Sequence, residues 1–113
     1  MRTLVFGGTG IVGRALVREG RSRGWPVLGL SHRQGEITDP RRIDEVCAAF
    51  RPELIVNCAA FTKVDLCETE PERALAVNGT AVANLVRAAE SAGARLVHLS
   101  TDYVFDGRAT SPY

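Results

Sequence analysis

The sequence lacks the features that mark nucleic-acid-binding, membrane-spanning and disulfide-rich proteins. Its 113 residues include 14 Lys or Arg and 13 Asp or Glu, so the net charge is only +1. This near balance of charge gives no indication of a nucleic-acid partner or a membrane partner. The apolar runs have the length of strands, which is too short to cross a bilayer, and no signal-peptide pattern is present. These absences favour one soluble cytoplasmic domain.

Metal-binding and disulfide patterns are also missing. The three cysteines, Cys47, Cys58 and Cys67, form no C-x-x-C pair, and the two histidines stand alone. Reduced thiols and no metal site are therefore expected. The basic residues are almost all arginine, because Lys63 is the only lysine.

The most informative segment that is present is residues 7–13, with the sequence GGTGIVG. It follows a predicted strand at 3–6 and opens a predicted helix over 10–23. In a dinucleotide-binding turn, Gly7 would permit the tight turn, Gly10 would admit phosphate, and Gly13 would allow close helix packing. The helix N-terminus would direct N–H groups at the anion. A purely structural turn is the alternative, since glycine turns are common.

Strand and helix patterns alternate along the chain. Further strands are predicted at 26–30, 36–38, 54–56 and 95–99. Asp39 and Pro40 begin a second helix, and a capping box at 69–72 opens a long helix that Gly93 ends. One helical turn capped by Asp65 is expected in the intervening loop. The fold class is α/β: a Rossmann-like, doubly wound parallel sheet of order 3-2-1-4-5, with ligand at the carboxyl ends of the first and fourth strands.

The residues after the second strand indicate the cofactor. An acid there would bond the ribose of NAD, whereas an arginine accommodates the 2′-phosphate of NADP. The sequence has Ser31, His32 and Arg33 and no acid before Glu36. This pattern favours NADP(H) over NAD(H), although Arg33 could instead be an ordinary solvated arginine.

Polar and small residues follow the two later strands. The segment 57–60 (NCAA) would leave room for a ring and ribose, or would simply pack the turn. Asn78 is predicted on the buried face of the long helix, where its amide would brace a neighbouring loop. The segment 100–107 (STDYVFDG) places hydroxyls and carboxylates at the same sheet edge, where turn formation is an equal alternative.

Four segments together resemble the dTDP-4-dehydrorhamnose reductase family, which belongs to the extended short-chain dehydrogenases/reductases with an NAD(P)-binding Rossmann fold. They are residues 57–65 (NCAAFTKVD), 68–71 (ETEP), 77–78 (VN) and 100–107 (STDYVFDG). The resemblance covers essentially the whole chain, in order. It implies NADPH- or NADH-dependent reduction of the 4-keto group of a dTDP-linked deoxysugar, in dTDP-L-rhamnose biosynthesis.

The resemblance also implies roles for individual residues. Arg33 would lie near the adenosine ribose, the Glu36–Ile37 pair at adenine, and Thr101 would be the catalytic hydroxyl that bonds the substrate carbonyl. The nucleotide sugar would be flanked by Lys63, Asp65, Asp102 and Tyr103. The full cofactor set that it implies is Gly7, Gly10, Ile11, Val12, Gly13, His32, Arg33, Glu36, Ile37, Ala59 and Ala60. A homodimer and Mg²⁺ are suggested by the resemblance alone.

One family motif is missing. The Tyr-x-x-x-Lys pair supplies the proton in these enzymes, but here Lys63 precedes both Tyr103 and Tyr113. We therefore expect residues 1–113 to be the N-terminal NAD(P)-binding portion, truncated before the later strands and the substrate-binding portion, and inactive alone. The last strand would then be an exposed edge. The alternatives are a non-catalytic NADP-binding module, resembling the methionine adenosyltransferase regulatory subunit, and a degenerate fragment without a ligand.

Overall fold

The computed structural model describes all 113 residues and has a Rossmann-like α/β fold. The strands are β1 (Thr3–Phe6), β2 (Val27–Leu30), β3 (Leu54–Asn57) and β4 (Arg95–His98). The helices are α1 (Ile11–Ser22), α2 (Pro40–Phe50), α3 (Val64–Thr69), α4 (Pro71–Leu75) and α5 (Ala81–Ala92). A π-helical turn, Ala76–Thr80, joins α4 to α5, and a 3₁₀ turn spans Asp102–Val104.

The four strands form one parallel sheet of order β2-β1-β3-β4. Phe6 lies opposite Leu30 on one side and Asn57 on the other, and Asn57 lies opposite His98. All four carboxyl ends therefore meet at one edge, from which the loops after each strand emerge. This confirms the predicted parallel, doubly wound architecture.

Helices cover both faces of the sheet. On one face, α2 and α5 close the main core, whose members include Leu4, Phe6, Ile43, Ile55 and Leu85. The alternating residues of β2 face α1 on the other side, where the positions of Val27 and Gly29 lie against Gly20 and Val17. All four residues of β1 are buried because this strand has a neighbour on each side.

The predicted strand at 36–38 is wrong. Glu36 folds this segment into a turn, since its Oε1 accepts bonds from the Thr38 nitrogen at 3.2 Å and the Thr38 hydroxyl at 2.9 Å. The side chain of Ile37 is 2% exposed and completes the core instead of pairing in a sheet. The observed strand order is therefore the predicted one without its third strand.

The start of α2 is confirmed in detail. Asp39 Oδ1 accepts bonds from the nitrogens of Arg41 at 3.0 Å and Arg42 at 3.4 Å, and Pro40 occupies the first helical position. These bonds satisfy N–H groups that have no acceptor within the helix.

The long helix differs from its prediction at the N-terminal end. The capping box is wrong, because the Thr69 hydroxyl donates back to the carbonyls of Asp65 and Leu66 in α3. Asp65 is also not a cap, since it lies in the first turn of α3 after Lys63. The C-terminal end is as predicted: Gly93 has φ of 64° and ends α5 in the left-handed conformation.

None of the helices combines the length and the apolarity that crossing a bilayer requires.

Candidate functional site

The glycine turn joins β1 to α1 in a space that only backbone can fill. Gly7 has φ of +71°, and a Cβ there would lie 2.6 Å from the Ala59 nitrogen. A Cβ on Gly13 would lie 2.1 Å from the Gly7 carbonyl oxygen. The turn, the first helical turn and the loop after β3 are therefore in direct backbone contact.

Gly10 is different, because the space beside it is open. A Cβ there would have only one close neighbour, the Gly7 carbonyl oxygen at 3.3 Å. Gly10 caps α1 without any side-chain bond, so the first-turn N–H groups of Ile11 and Val12 have no intrahelical acceptor. An exposed helix N-terminus with free N–H groups and no shielding side chain is suited to a diphosphate.

Gly8 also matters, although the dinucleotide-binding pattern assigns it no role. A Cβ on Gly8 would lie 2.7 Å from the Gly29 Cα in β2, and the Gly8 nitrogen donates to the Leu30 carbonyl at 2.8 Å. The signal in the sequence is Gly29, since an isolated glycine inside a strand marks the close approach of another backbone.

The loop after β2 holds the second group of predicted cofactor residues. The nitrogen and hydroxyl of Ser31 donate to Gln34 Oε1 at 3.0 and 2.8 Å. His32 Nε2 lies 2.6 Å from Glu36 Oε2. The side chain of Arg33 is exposed and makes no hydrogen bond or ion pair within the chain. The loop thus presents a free guanidinium on an ordered backbone.

Asn57 ties the ends of β3 and β4 together. Its side chain is 1% exposed, with Nδ2 3.0 Å from His98 Nδ1 and Oδ1 accepting from the Ala59 nitrogen at 3.0 Å. Both bonds fix the direction in which the chain leaves β3. Ala59 is half-buried and Ala60 is exposed, so small side chains line this exit.

Cys58 lies between Asn57 and Ala59, and burial raises the pKa of its thiol. A raised pKa disfavours the thiolate, which is the nucleophilic form of cysteine. Burial, with a smaller contribution from Asp44, likewise raises the pKa of Cys47 in the core.

Asn78 braces the loop after β3, as predicted, but it is exposed and not on the buried face. Its Oδ1 accepts from the Phe61 nitrogen at 2.8 Å, and its Nδ2 donates to the Phe61 carbonyl at 2.9 Å. Asn78 lies in the π-helical turn, and the Arg73 guanidinium stacks 4.6 Å from the centroid of the Phe61 ring. These contacts hold the loop that leads to Lys63.

The residues predicted to contact substrate are all exposed. Thr101 Oγ1 accepts from the Tyr103 nitrogen at 3.2 Å and lies 3.3 Å from Asp102 Oδ1. Tyr103 is 78% exposed. The side chains of Lys63 and Asp65 make no hydrogen bond or ion pair. This segment leaves the sheet at the same edge as the glycine turn, through the Leu99 nitrogen bond to the Asn57 carbonyl at 3.2 Å.

The structure therefore brings the predicted cofactor residues together in two places. Gly7, Gly13 and Ala59 are in contact at the centre of the edge, while His32 and Arg33 follow the neighbouring strand. No group of three or more His, Cys, Asp or Glu side chains forms a metal-ligand set.

The similarity to known proteins covers essentially the whole chain. The family model described as RmlD substrate binding domain matches residues 1–113. A dTDP-4-dehydrorhamnose reductase from Streptomyces griseus is 44% identical over 112 residues, which are 99% of this chain and 37% of that protein. The chain spans about two fifths of the length of the curated relatives it matches.

Two further similarities bear on the site. A crystal structure of the Bacillus anthracis dTDP-4-dehydrorhamnose reductase in complex with NADP superposes with a TM-score of 0.91 at 33% identity, covering 96% of this chain and 39% of that one. Methionine adenosyltransferase 2 subunit beta from Xenopus laevis is 36% identical over 118 residues, covering 98% of this chain and 35% of that protein.

Proposed function

Because the chain belongs to the RmlD substrate-binding-domain family, we propose that residues 1–113 form the NADP-binding portion of a dTDP-4-dehydrorhamnose reductase. The observation that carries this proposal is the open N-terminus of α1 beside Gly10, in a glycine turn that packs against the loop after β3. Similarity to the NADP-bound reductase from Bacillus anthracis supports it.

The residues fit NADP in three positions along the edge of the sheet. The N–H groups of Ile11 and Val12 bind the diphosphate, with Gly10 leaving space for it. Arg33, a free and permanently charged guanidinium, binds the 2′-phosphate. Ala59 and Ala60 leave room for the nicotinamide ribose, because larger side chains there would occupy the exit of β3.

When held by these residues, NADPH would supply the hydride for reduction of the 4-keto group of a dTDP-linked deoxysugar. The hydroxyl of Thr101 donates a hydrogen bond to the carbonyl oxygen and so stabilises the charge that develops there. Asp102 and Tyr103 on one side, and Lys63 and Asp65 on the other, flank the sugar. No Tyr-x-x-x-Lys pair occurs within these 113 residues, so they orient the carbonyl without supplying that proton-donating pair.

The test is the binding of NADPH to the purified chain. NADPH at about 100 times its dissociation constant should stabilise the fold by about 2.7 kcal/mol, which a thermal melt detects. Arg33→Ala should weaken NADPH binding and leave NADH binding unchanged. Arg18→Ala, which removes another exposed arginine without an ion pair, is the matched control. Absence of any melting shift with NADPH would contradict cofactor binding.

Catalysis is tested separately. We expect no ketosugar-dependent oxidation of NADPH by the 113-residue chain, because general acid catalysis contributes roughly 10²–10⁴-fold and the usual acid is missing. Turnover by this chain, in preparations free of other reductases, would show that it has a proton donor of its own.

A second candidate function is a non-catalytic NADP-binding regulatory module, which the similarity to methionine adenosyltransferase 2 subunit beta favours. Both candidates require NADP binding, so a partner assay distinguishes them. Co-purification with a methionine adenosyltransferase catalytic subunit would favour the regulatory function. Saturable binding of a dTDP-sugar to the NADPH complex would favour the reductase.

A further inference from the structure

The loop after β2 contains two carboxylates: Asp39 caps α2 through Oδ1, and both oxygens of Glu36 are engaged within the loop. Glu36 Oε1 accepts both Thr38 bonds, at 3.2 and 2.9 Å, while Oε2 lies 2.6 Å from His32 Nε2. Both oxygens of the carboxylate therefore bond within the loop, and neither is left free for the adenine contact that the family resemblance implies. An acid that binds the ribose hydroxyls of NAD needs a free oxygen for each of them.

The backbone around this pair is held in place. Gln34 Oε1 accepts hydrogen bonds from the backbone nitrogen and the hydroxyl of Ser31. In return, the backbone nitrogens of Gln34 and Gly35 donate hydrogen bonds to the Ser31 carbonyl at 3.1 and 2.9 Å. Gly35 is buried, since a Cβ there would lie 2.7 Å from Leu30 Cδ1. The turn that carries His32 is thus fixed by bonds between Ser31 and residues 34–35, and the His32 ring is held by Glu36.

We propose that Glu36 is a positioning residue: it holds His32 Nε2 and so directs Nδ1, in the cationic form of the ring, as a second donor beside Arg33 for the 2′-phosphate of NADP. Glu36 thereby makes the loop selective for NADP over NAD, although its own charge would repel a phosphate. This inference rests on the proposed function, because it names the cofactor selectivity of the same site.

The exposed positions of the pair make the proposal separable from a structural role. The His32 side chain is 78% exposed and that of Glu36 is 30% exposed. Ion pairs with an exposed partner contribute little to folding, so breaking this one while the Thr38 bonds remain should leave the melting temperature almost unchanged. Its effect should instead appear in the binding of a ligand that carries the 2′-phosphate.

The experiment measures dissociation constants of NADP and NAD for the wild-type chain, Glu36→Gln, His32→Gln and the double variant. Gln retains the oxygen that caps Thr38 but removes the charge that holds His32. We expect Glu36→Gln and His32→Gln each to lower the NADP-over-NAD preference by about tenfold, the value of one charge-assisted hydrogen bond. The double variant should lose no more than either single one, because Glu36 acts through His32.

Glu19→Gln is the matched control, since Glu19 forms the same kind of exposed i, i+4 pair, with Arg23 at 2.7 Å. It should leave the preference unchanged. A second readout is the NMR signal of the His32 ring, which should shift with NADP and not with NAD.

The possible results separate the two proposals. An unchanged or increased NADP preference in Glu36→Gln would overturn the positioning role, because it would show a carboxylate that is idle or that repels the phosphate. Additive losses in the double variant would also overturn it. Failure of the wild-type chain to bind either dinucleotide would instead contradict the proposed function itself.

Discussion

The centre of the sheet and its β4 side are built in different ways. Every residue of β1 is buried, and the strand has a neighbour on each side. In β4, which pairs with β3 alone, three of four residues are exposed, and every residue from 99 to 113 is exposed. The exposed Val97 and Leu99 give the edge that the sequence predicted.

This difference separates the two halves of the candidate site. The cofactor residues are fixed by backbone packing between β1, α1 and the exit of β3. The segment 100–107 is held mainly by its own short-range bonds, such as the one from the Phe105 nitrogen to the Asp102 carbonyl at 3.0 Å. Substitutions at the packed backbone positions of the first region should therefore lower stability, while those in the second should leave stability nearly unchanged.

The largest effect is expected for Gly13→Ala. Its Cβ would lie 2.1 Å from the Gly7 carbonyl oxygen, and this oxygen belongs to the backbone and cannot rotate away, so the turn and α1 must move apart. Loss of about 3 kcal/mol of unfolding free energy and loss of NADPH binding are expected, as measured by urea denaturation and calorimetry.

Gly10→Ala is the matched comparison for Gly13→Ala. Its Cβ would have a single close contact, at 3.3 Å, and the backbone φ of −73° suits alanine. Stability should change by less than about 1 kcal/mol, while NADPH binding weakens because the methyl group occupies the approach of the diphosphate. Equal losses of stability in the two variants would show that Gly10 is a packing residue.

A smaller loss is expected for Asn57→Ala. The substitution leaves the Ala59 nitrogen without its acceptor and removes the link to His98, at a cost of about 2 kcal/mol in unfolding free energy. Asn78→Ala also removes two bonds, but from an exposed amide that water can replace, so its cost should be lower. The reverse order of costs would show that the Phe61 loop, and not the β3–β4 junction, limits stability.

Thr101→Val tests the other side of the comparison. Because Thr101 is exposed and bonds only to its neighbours, unfolding free energy should change by less than about 0.5 kcal/mol. Hydrogen exchange should show rapid exchange over 99–113 in both proteins and slow exchange in β1. Slow exchange over 99–113 in the wild-type chain would contradict the separation of the two regions.

The smallest effect concerns pH. Glu53 accepts a hydrogen bond from the Arg2 nitrogen at 2.7 Å, which lowers the pKa of its carboxyl below the ordinary value of 4.5. A lowered folded-state pKa stabilises the protein above that ordinary value, and the stabilisation is lost as pH falls through the folded-state value.

Glu53→Gln should therefore flatten the acid side of the melting-temperature profile and leave the profile near pH 7 parallel to that of the wild type. Glu68→Gln, which removes an exposed carboxylate without a hydrogen bond, is the control. An unchanged acid side in Glu53→Gln would exclude this bond as a source of the pH dependence.

Sequence patterns predicted those parts of the fold that depend on neighbouring residues. The signals that begin α2, Asp39 as N-cap and Pro40 at the first helical position, lie within four residues. The signal that ends α5 is Gly93 alone. The start of α2 and the end of α5 were therefore predicted correctly. The segment 36–38 was not, because three residues cannot show a period, and the bonds from Thr38 to Glu36 favoured a turn. Thr69 could bond forwards to the start of α4 or backwards to the carbonyls of α3, and its hydroxyl bonds backwards.

The candidate site follows the same division. The glycine turn was recognisable because strand, turn and helix are consecutive. The contact of Gly8 with Gly29 was not recognised, since it joins positions far apart in the chain. A bracing role for Asn78 was predicted, and two hydrogen bonds to the Phe61 backbone supply it. The exposure of Asn78 was not predicted, because the π-helical turn changes which residues face the core.

The contact between Gly8 and Gly29 also fixes the distance between two parts of the candidate cofactor site. It holds the turn that would receive the diphosphate at a fixed distance from the loop that would receive the adenosine ribose, and the bond from Gly8 to Leu30 reinforces it. For the proposed cofactor, backbone contacts alone therefore fix the distance between the diphosphate site and the ribose site. A ligand whose two anionic groups are spaced differently would satisfy one end of the site and miss the other, whatever side chains surround it.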